Sequence, residues 1–228
     1  MQGELERVLA VICGEPVRIT GAGRTDAGVH ASGQVIDLRT TSGLASRELE
    51  RGVNALLPED IAISSLEPAE ESFHARFSAT GRTYEYRIRN APVRDPLWTR
   101  REHWHPAELD VAAMRAAAAH LIGRHDFAAF AAGESGERTV KRAEWVSEGS
   151  VLRFEIESDA FLRGMVRGIV GTLLWVGRGK LTVERFAEVL AAGDRALAGP
   201  SAPAKGLCLV AVGYGGGRRR QYGSENWE

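Results

Sequence analysis

Only two cysteines, Cys13 and Cys208, occur in 228 residues, and neither belongs to a CxxC pair or a Cys/His cluster. That scarcity argues against a disulfide scaffold and against a zinc site of the usual spacings, and it suits a reducing, cytoplasmic compartment. No apolar run approaches the ~18 residues of a membrane span, and the polar start MQGELER is unlike a signal peptide. An excess of either charge is missing too: 29 Lys and Arg against 30 Asp and Glu leave a formal charge of -1. A global polycation is thereby excluded, so a nucleic-acid partner would have to be held by local basic patches. Neither GxxxxGK[ST] nor GxGxxG is present, which removes the common nucleotide-binding loops. The remaining composition, 44% hydrophobic and 26% charged, is that of a soluble globular protein with one large domain or two small ones.

Periodicity then divides the chain. Leu5, Val8, Leu9 and Ile12 recur at helical spacing, and Gly14 and Pro16 stop that helix. VRITGAG and SGQVIDLRT read as strands flanking a loop, a second helix runs from Ser46 to Leu57, and IAISSLE reads as a strand. In RTYEYRIRN, Tyr84, Tyr86 and Ile88 fall on one face of a strand, and Thr83, Glu85 and Arg87 on the other. The irregular, proline-rich segment NAPVRDPLWTRREHWHP marks a crossing between halves. Beyond it come a helix (LDVAAMRAAAAHLIG), a hairpin turning at Glu148 to Ser150, an apolar helix (FLRGMVRGIVGTLLWVG), a further helix (TVERFAEVLAAG) and a closing strand (GLCLVAVGY). This order implies an α+β fold of two similar halves, 1–92 and 93–214, followed by a disordered tail over 215–228.

Three segments could carry chemistry. Asp26 sits in the glycine-rich stretch GAGRTDAGVHASGQVIDL, with Arg24 before it and His30 after it; the stretch reads either as a connecting turn or as a site. Arg167 lies on a helix that is apolar nearly all round, where a guanidinium either meets a carboxylate or reaches along its stem to the surface. Gly164, Gly168 and Gly171 would let another backbone come close to that helix. Tyr84 is either an ordinary half-buried strand residue or a ring for a planar substrate. Arg76, Arg82, Arg87 and Arg89 give its neighbourhood a basic, aromatic character suited to RNA. The HWH of His103 to His105 reads as core or surface histidines rather than metal ligands, since no third ligand is nearby.

Taken together, these segments resemble the tRNA pseudouridine synthase A family. Its hallmark stands here as GRTDAGVHA followed by GQV, a second block as FHARFSATGRTYEY and a third as FLRGMVRGIVG; HDFAAF, RTVKRAEW and APAKGLCLVAVGY match less strongly. The resemblance runs from about residue 2 to residue 214. It implies an isomerase that converts uridine to pseudouridine at positions 38 to 40 in the anticodon arm of tRNA, without metal or organic cofactor. It implies Asp26 as the nucleophile, acting on ribose C1′ or uracil C6, and Arg167 as the ion-pair partner of that aspartate. Tyr84 would pack on the uracil with a role in proton transfer open to it, and Arg24 and His30 would bind substrate. The implied fold is two ferredoxin-like halves, mainly antiparallel, with a central cleft, working as a homodimer in which one tRNA touches both subunits. The glycines around Asp26 are expected to let RNA and the Arg167 helix approach. Two departures stand out. Gly168 occupies a position where many members carry asparagine, and the chain starts inside the first helix, without the preceding strand and GxxFxGWQxQ loop. The second departure implies either a truncated sequence or, as the alternative, a catalytically impaired tRNA-binding protein.

Overall fold

The computed structural model describes residues 1–215 and 219–221, the last three by their backbone alone. The elements in chain order are α1 (Gln2–Cys13), β1 (Ile19–Gly21), β2 (His30–Ala31), β3 (Ile36–Leu38), α2 (Ser46–Leu56), β4 (Ala79–Asn90), β5 (His103–His105), α3 (Val111–Ala119), β6 (Gly123–Asp126), β7 (Glu137–Glu148), β8 (Val151–Ser158), α4 (Met165–Gly177), α5 (Val183–Ala192), β9 (Leu207–Tyr214) and β10 (Arg219–Gln221). The fold is α+β, and the pairing of the long strands is antiparallel. The chain forms two compact units, one of residues 1–24 and 34–79, the other of residues 25–33 and 80–228. This grouping differs from the expected division at residue 92. β4 pairs with β8 from Arg82↔Ser158 to Arg89↔Val151, so eight residue pairs of backbone bonding tie it to the second unit.

In the first unit, α1 turns Leu5, Val8 and Leu9 onto Leu49 and Val53 of α2 and onto Val17 and Ile19. Burying each such aliphatic side chain is worth about 1.5–3 kcal/mol. Gly14 ends α1 with φ 71°, a left-handed cap that only glycine adopts without strain. β1 and β3 pair antiparallel, Ile19 opposite Leu38. The strand expected over IAISSLE is absent. Ile61, Ile63 and Leu66 do pack on the core, which accounts for their spacing. The Ile61 N–H donates to the Pro58 carbonyl at 3.0 Å, and side chains serve the other two: the Asn54 amide donates to the Ile63 carbonyl and accepts from its N–H, both at 2.7 Å, and Glu50 accepts from the Leu66 N–H at 3.1 Å.

In the second unit, one sheet runs in the order β10-β9-β4-β8-β7-β6, with β2 parallel beside β9 and β5 parallel beside β4. Tyr84, Tyr86 and Ile88 of β4 are buried, in line with the alternation. β7 and β8 form the expected hairpin, and Gly149 at its turn has φ 57°. α4 is buried over nearly its whole length because its side chains are apolar on every face. Phe130 and Phe186 stack at 5.6 Å. Of the expected disordered tail, residues 219–221 pair by their backbone with β9, and residues 216–218 and 222–228 lie outside those described. Among the described residues, no helix is long and apolar enough to cross a membrane.

Candidate active site

Asp26 opens a tight turn in which the Val29 N–H donates to the Asp26 carbonyl at 3.0 Å. Gly28, third in the turn, has φ +81°, which side-chain-bearing residues rarely adopt. The next residues are tied to β9. His30 pairs with Cys208 and Ala31 with Leu209, and the N–H groups of Ser32 and Gly33 both donate to the Leu209 carbonyl at 3.0 Å. A Cβ on Gly33 would lie 2.1 Å from the Val210 carbonyl oxygen, so this approach requires glycine. Within the second unit these glycines thus make the turn and its seat on β9, rather than admitting the Arg167 helix as expected.

Arg167 is on the first turn of α4, 141 residues from Asp26 in sequence. Its guanidinium Nη1 donates to Asp26 Oδ2 at 3.0 Å, and its Nε donates to the Ala202 carbonyl at 2.8 Å. The Ala202 N–H donates back to the Arg167 carbonyl at 2.9 Å. With side chains 25% and 40% exposed, the ion pair is screened by water. It contributes at most about 1 kcal/mol to folding. Its effect is orientation: the second hydrogen bond, to Ala202, holds the guanidinium plane, and the first holds the carboxylate.

The segment carrying Ala202 is itself clamped. Thr172 Oγ1 donates to the Gly168 carbonyl at 2.8 Å and accepts from the Gly199 N–H at 3.0 Å. The Tyr86 hydroxyl donates to the Pro203 carbonyl at 2.8 Å. The expected close approach to the glycines of α4 is present: a Cβ on Gly168 would lie 2.2 Å from the Phe130 carbonyl oxygen, and one on Gly171 would lie 1.7 Å from that of Pro200.

Tyr84 stands in the same unit, 9% exposed, with its ring perpendicular to that of Phe161 at 5.0 Å and 84°. Burial pushes its hydroxyl up to about 12; Arg82 opposes this, while the charges of Asp26 and Cys208 add to it. At neutral pH the hydroxyl is therefore a neutral donor. His30 is half-buried, and its Nε2 donates to the Arg100 carbonyl at 2.7 Å. Arg24 is exposed and belongs to the first unit, and Asp26 to the second.

Two of the arginines that gave the Tyr84 region its basic reading are neutralised. Arg87 pairs with Glu85 at 3.4 Å and sits over the Trp98 ring, while Arg89 pairs with Glu102 and with Asp95, the latter at 3.2 Å. A third, Arg82, donates to the Asp159 carbonyl at 2.8 Å. Arg82 and Arg89 thus meet acceptors remote in sequence, whereas the acceptor of Arg87 is two residues away on the same strand. The structure also brings in Ala202, Tyr86 and Phe161. Ala202 acts through its backbone and has no sequence signature, whereas the alternation of β4 marked Tyr86 only as a core residue.

With this geometry established, comparison with known proteins gives a consistent result. The family model described as tRNA pseudouridine synthase matches residues 2–78 and 117–215. A protein named tRNA pseudouridine synthase A from Chloroflexus aurantiacus is 48% identical over 222 residues, covering 94% of this chain and 80% of the relative. Proteins of the same name from Paraburkholderia xenovorans and Geobacillus kaustophilus are each 44% identical, over 94% of this chain and over 81% and 85% of their own lengths.

Proposed function

The chain belongs to the tRNA pseudouridine synthase family, and on that premise we propose that it isomerises uridine to pseudouridine at positions 38 to 40 of the tRNA anticodon arm, with Asp26 as the nucleophile. The observation that carries this reading is the 3.0 Å pair between Arg167 and Asp26, two residues distant in sequence but held in one compact unit with Tyr84.

The reaction breaks the bond between uracil N1 and ribose C1′, forms one between C5 and C1′, releases the C5 proton and returns a proton to N1. It is redox neutral and needs no energy source. The Asp26 carboxylate adds to ribose C1′ or to uracil C6, and in either route one hard step becomes two easier ones. Arg167 aims the carboxylate. Flipping the nucleotide out of its stack costs a few kcal/mol, roughly. Stacking on the Tyr84 ring, worth about 1–3 kcal/mol, offsets part of that. With its hydroxyl held protonated, Tyr84 can donate a hydrogen bond to the base but is not an ionised base at neutral pH. Arg24 enters the stem as the base leaves it. His30, oriented by the Arg100 carbonyl, is a further RNA contact.

The protein works in the cytoplasm as a homodimer whose two subunits share one tRNA. Retention of Asp26, Tyr84 and Arg167 favours turnover over the binding-only alternative. Mapping carbodiimide-modified pseudouridine by primer extension on tRNA treated with the protein tests the assignment. New stops at one or more of positions 38 to 40 are expected, and stops confined to other positions, or none, would overturn it.

A further inference from the structure

The turn from His74 to Ser78 lies in the first compact unit and holds its backbone with unusual completeness. All five N–H groups have acceptors. His74 donates to Ser78 Oγ at 3.1 Å, Ala75 to Asp37 Oδ1 at 2.7 Å, Arg76 and Phe77 to His74 Nδ1 at 3.2 and 3.3 Å, and Ser78 to the His74 carbonyl at 2.9 Å. Ala75 is fully buried and anchors the turn. Ordering such a segment costs conformational entropy, yet the large apolar side chain it carries gains little burial: Phe77 is 76% exposed. The ring is nonetheless held in place, 4.4 Å from the His74 ring, with the Arg76 guanidinium 5.6 Å from its centroid.

We propose that Phe77, with Arg76 beside it, is a stacking platform for an unstacked nucleobase of the RNA substrate, separate from the target uridine. The proposal rests on the reading that this chain acts on tRNA. A ring 76% exposed with a guanidinium over it offers aromatic surface for a base and a cation for the adjoining phosphate, the combination that binds single-stranded nucleotides with little sequence preference. A protein partner fits less well. The neighbouring residues Glu70, Glu71, Ser72 and Arg76 are exposed and polar or charged, so in its own turn Phe77 is a single exposed apolar side chain rather than the centre of an apolar patch.

The test measures equilibrium tRNA binding by the full chain, by fluorescence anisotropy, for wild type, Phe77→Ala and Phe77→Trp. Circular dichroism and light scattering report fold and mass. Phe77→Ala should weaken binding about tenfold, within the range that loss of one base–aromatic stack produces. Phe77→Trp should bind at least as tightly as wild type, with mass unchanged throughout. Wild-type affinity in folded Phe77→Ala, or a Phe77→Trp as weak as the alanine variant, would overturn the platform while leaving the tRNA reading intact. A change of mass without a change in affinity would assign the ring to contact between copies instead. Failure of the wild-type chain to bind tRNA would remove the reading and the platform together.

Discussion

Substituting Gly171 by alanine tests how Arg167 is positioned. Gly171 lies one helical turn beyond Arg167 on α4, and an added Cβ would stand 1.7 Å from the Pro200 carbonyl oxygen and 3.1 Å from the Ala202 nitrogen. Ordinary contact begins at 3.4 Å, so the 200–202 segment must retreat by about 1.7 Å or the helix must move instead. The Ala202 carbonyl receives Arg167 Nε at 2.8 Å. A shift of half the required size stretches that bond beyond about 3.5 Å, where hydrogen bonding ends. Overpacking of this kind costs about 1–3 kcal/mol. A misplacement of about 1 Å in a catalytic constellation lowers turnover by about a hundredfold. Gly171→Ala should therefore lower the urea midpoint and reduce kcat by about two orders of magnitude. Gly43→Ala, where an added Cβ meets nothing within 4 Å, should do neither. The assays are urea unfolding and tritium release from tRNA labelled at uridine C5. Full turnover in Gly171→Ala would refute the claim that the clamped 199–203 segment aims Arg167.

Two further outcomes follow from the same geometry. Tyr86→Phe leaves the Pro203 carbonyl only the long 3.5 Å bond from the Gly206 N–H, which should cost about 0.5–1.5 kcal/mol of stability and lower kcat more than it changes KM, because the lost bond holds the Arg167 clamp rather than substrate; an effect on KM alone would contradict this. His103 takes its proton only at about pH 4, because burial first, and then the neighbouring His105 and Lys205 charges, disfavour the imidazolium. The unfolded chain binds that proton near pH 6.5, so stability present above pH 6.5 is lost as pH falls toward 4. His103→Asn should reduce the slope of unfolding free energy across that window, and an unchanged slope would show that other groups govern it.

The parts of the fold that were legible in the sequence are those where one period governs one long element. The apolar spacing of α1, the unbroken apolar run of α4 and the alternation of β4 each map directly onto burial. The IAISSLE segment misled because alternation reports which side chains face the core and not what satisfies the backbone; the Asn54 amide supplied the bonds a neighbouring strand would have made. β2 is two residues long, too short for any period, and its parallel partner β9 is far along the chain. In the site, the cost of a guanidinium on an apolar helix pointed to a carboxylate partner for Arg167. Nothing in composition or spacing selected Asp26, which came from the family resemblance. The Ala202 carbonyl was out of reach altogether, because a backbone acceptor carries no residue code.

The claim that Asp26, aimed by Arg167, performs the isomerisation is tested most directly by tritium release under single-turnover conditions, comparing wild type with Asp26→Asn at tRNA concentrations where both are saturated. Asparagine keeps the size of the side chain and its capacity to accept from Arg167 but removes the nucleophilic charge. Wild type should release tritium stoichiometrically with the uridines modified, and Asp26→Asn should bind tRNA yet release it at least about a thousandfold more slowly. Equal rates of release from the two proteins would contradict the account.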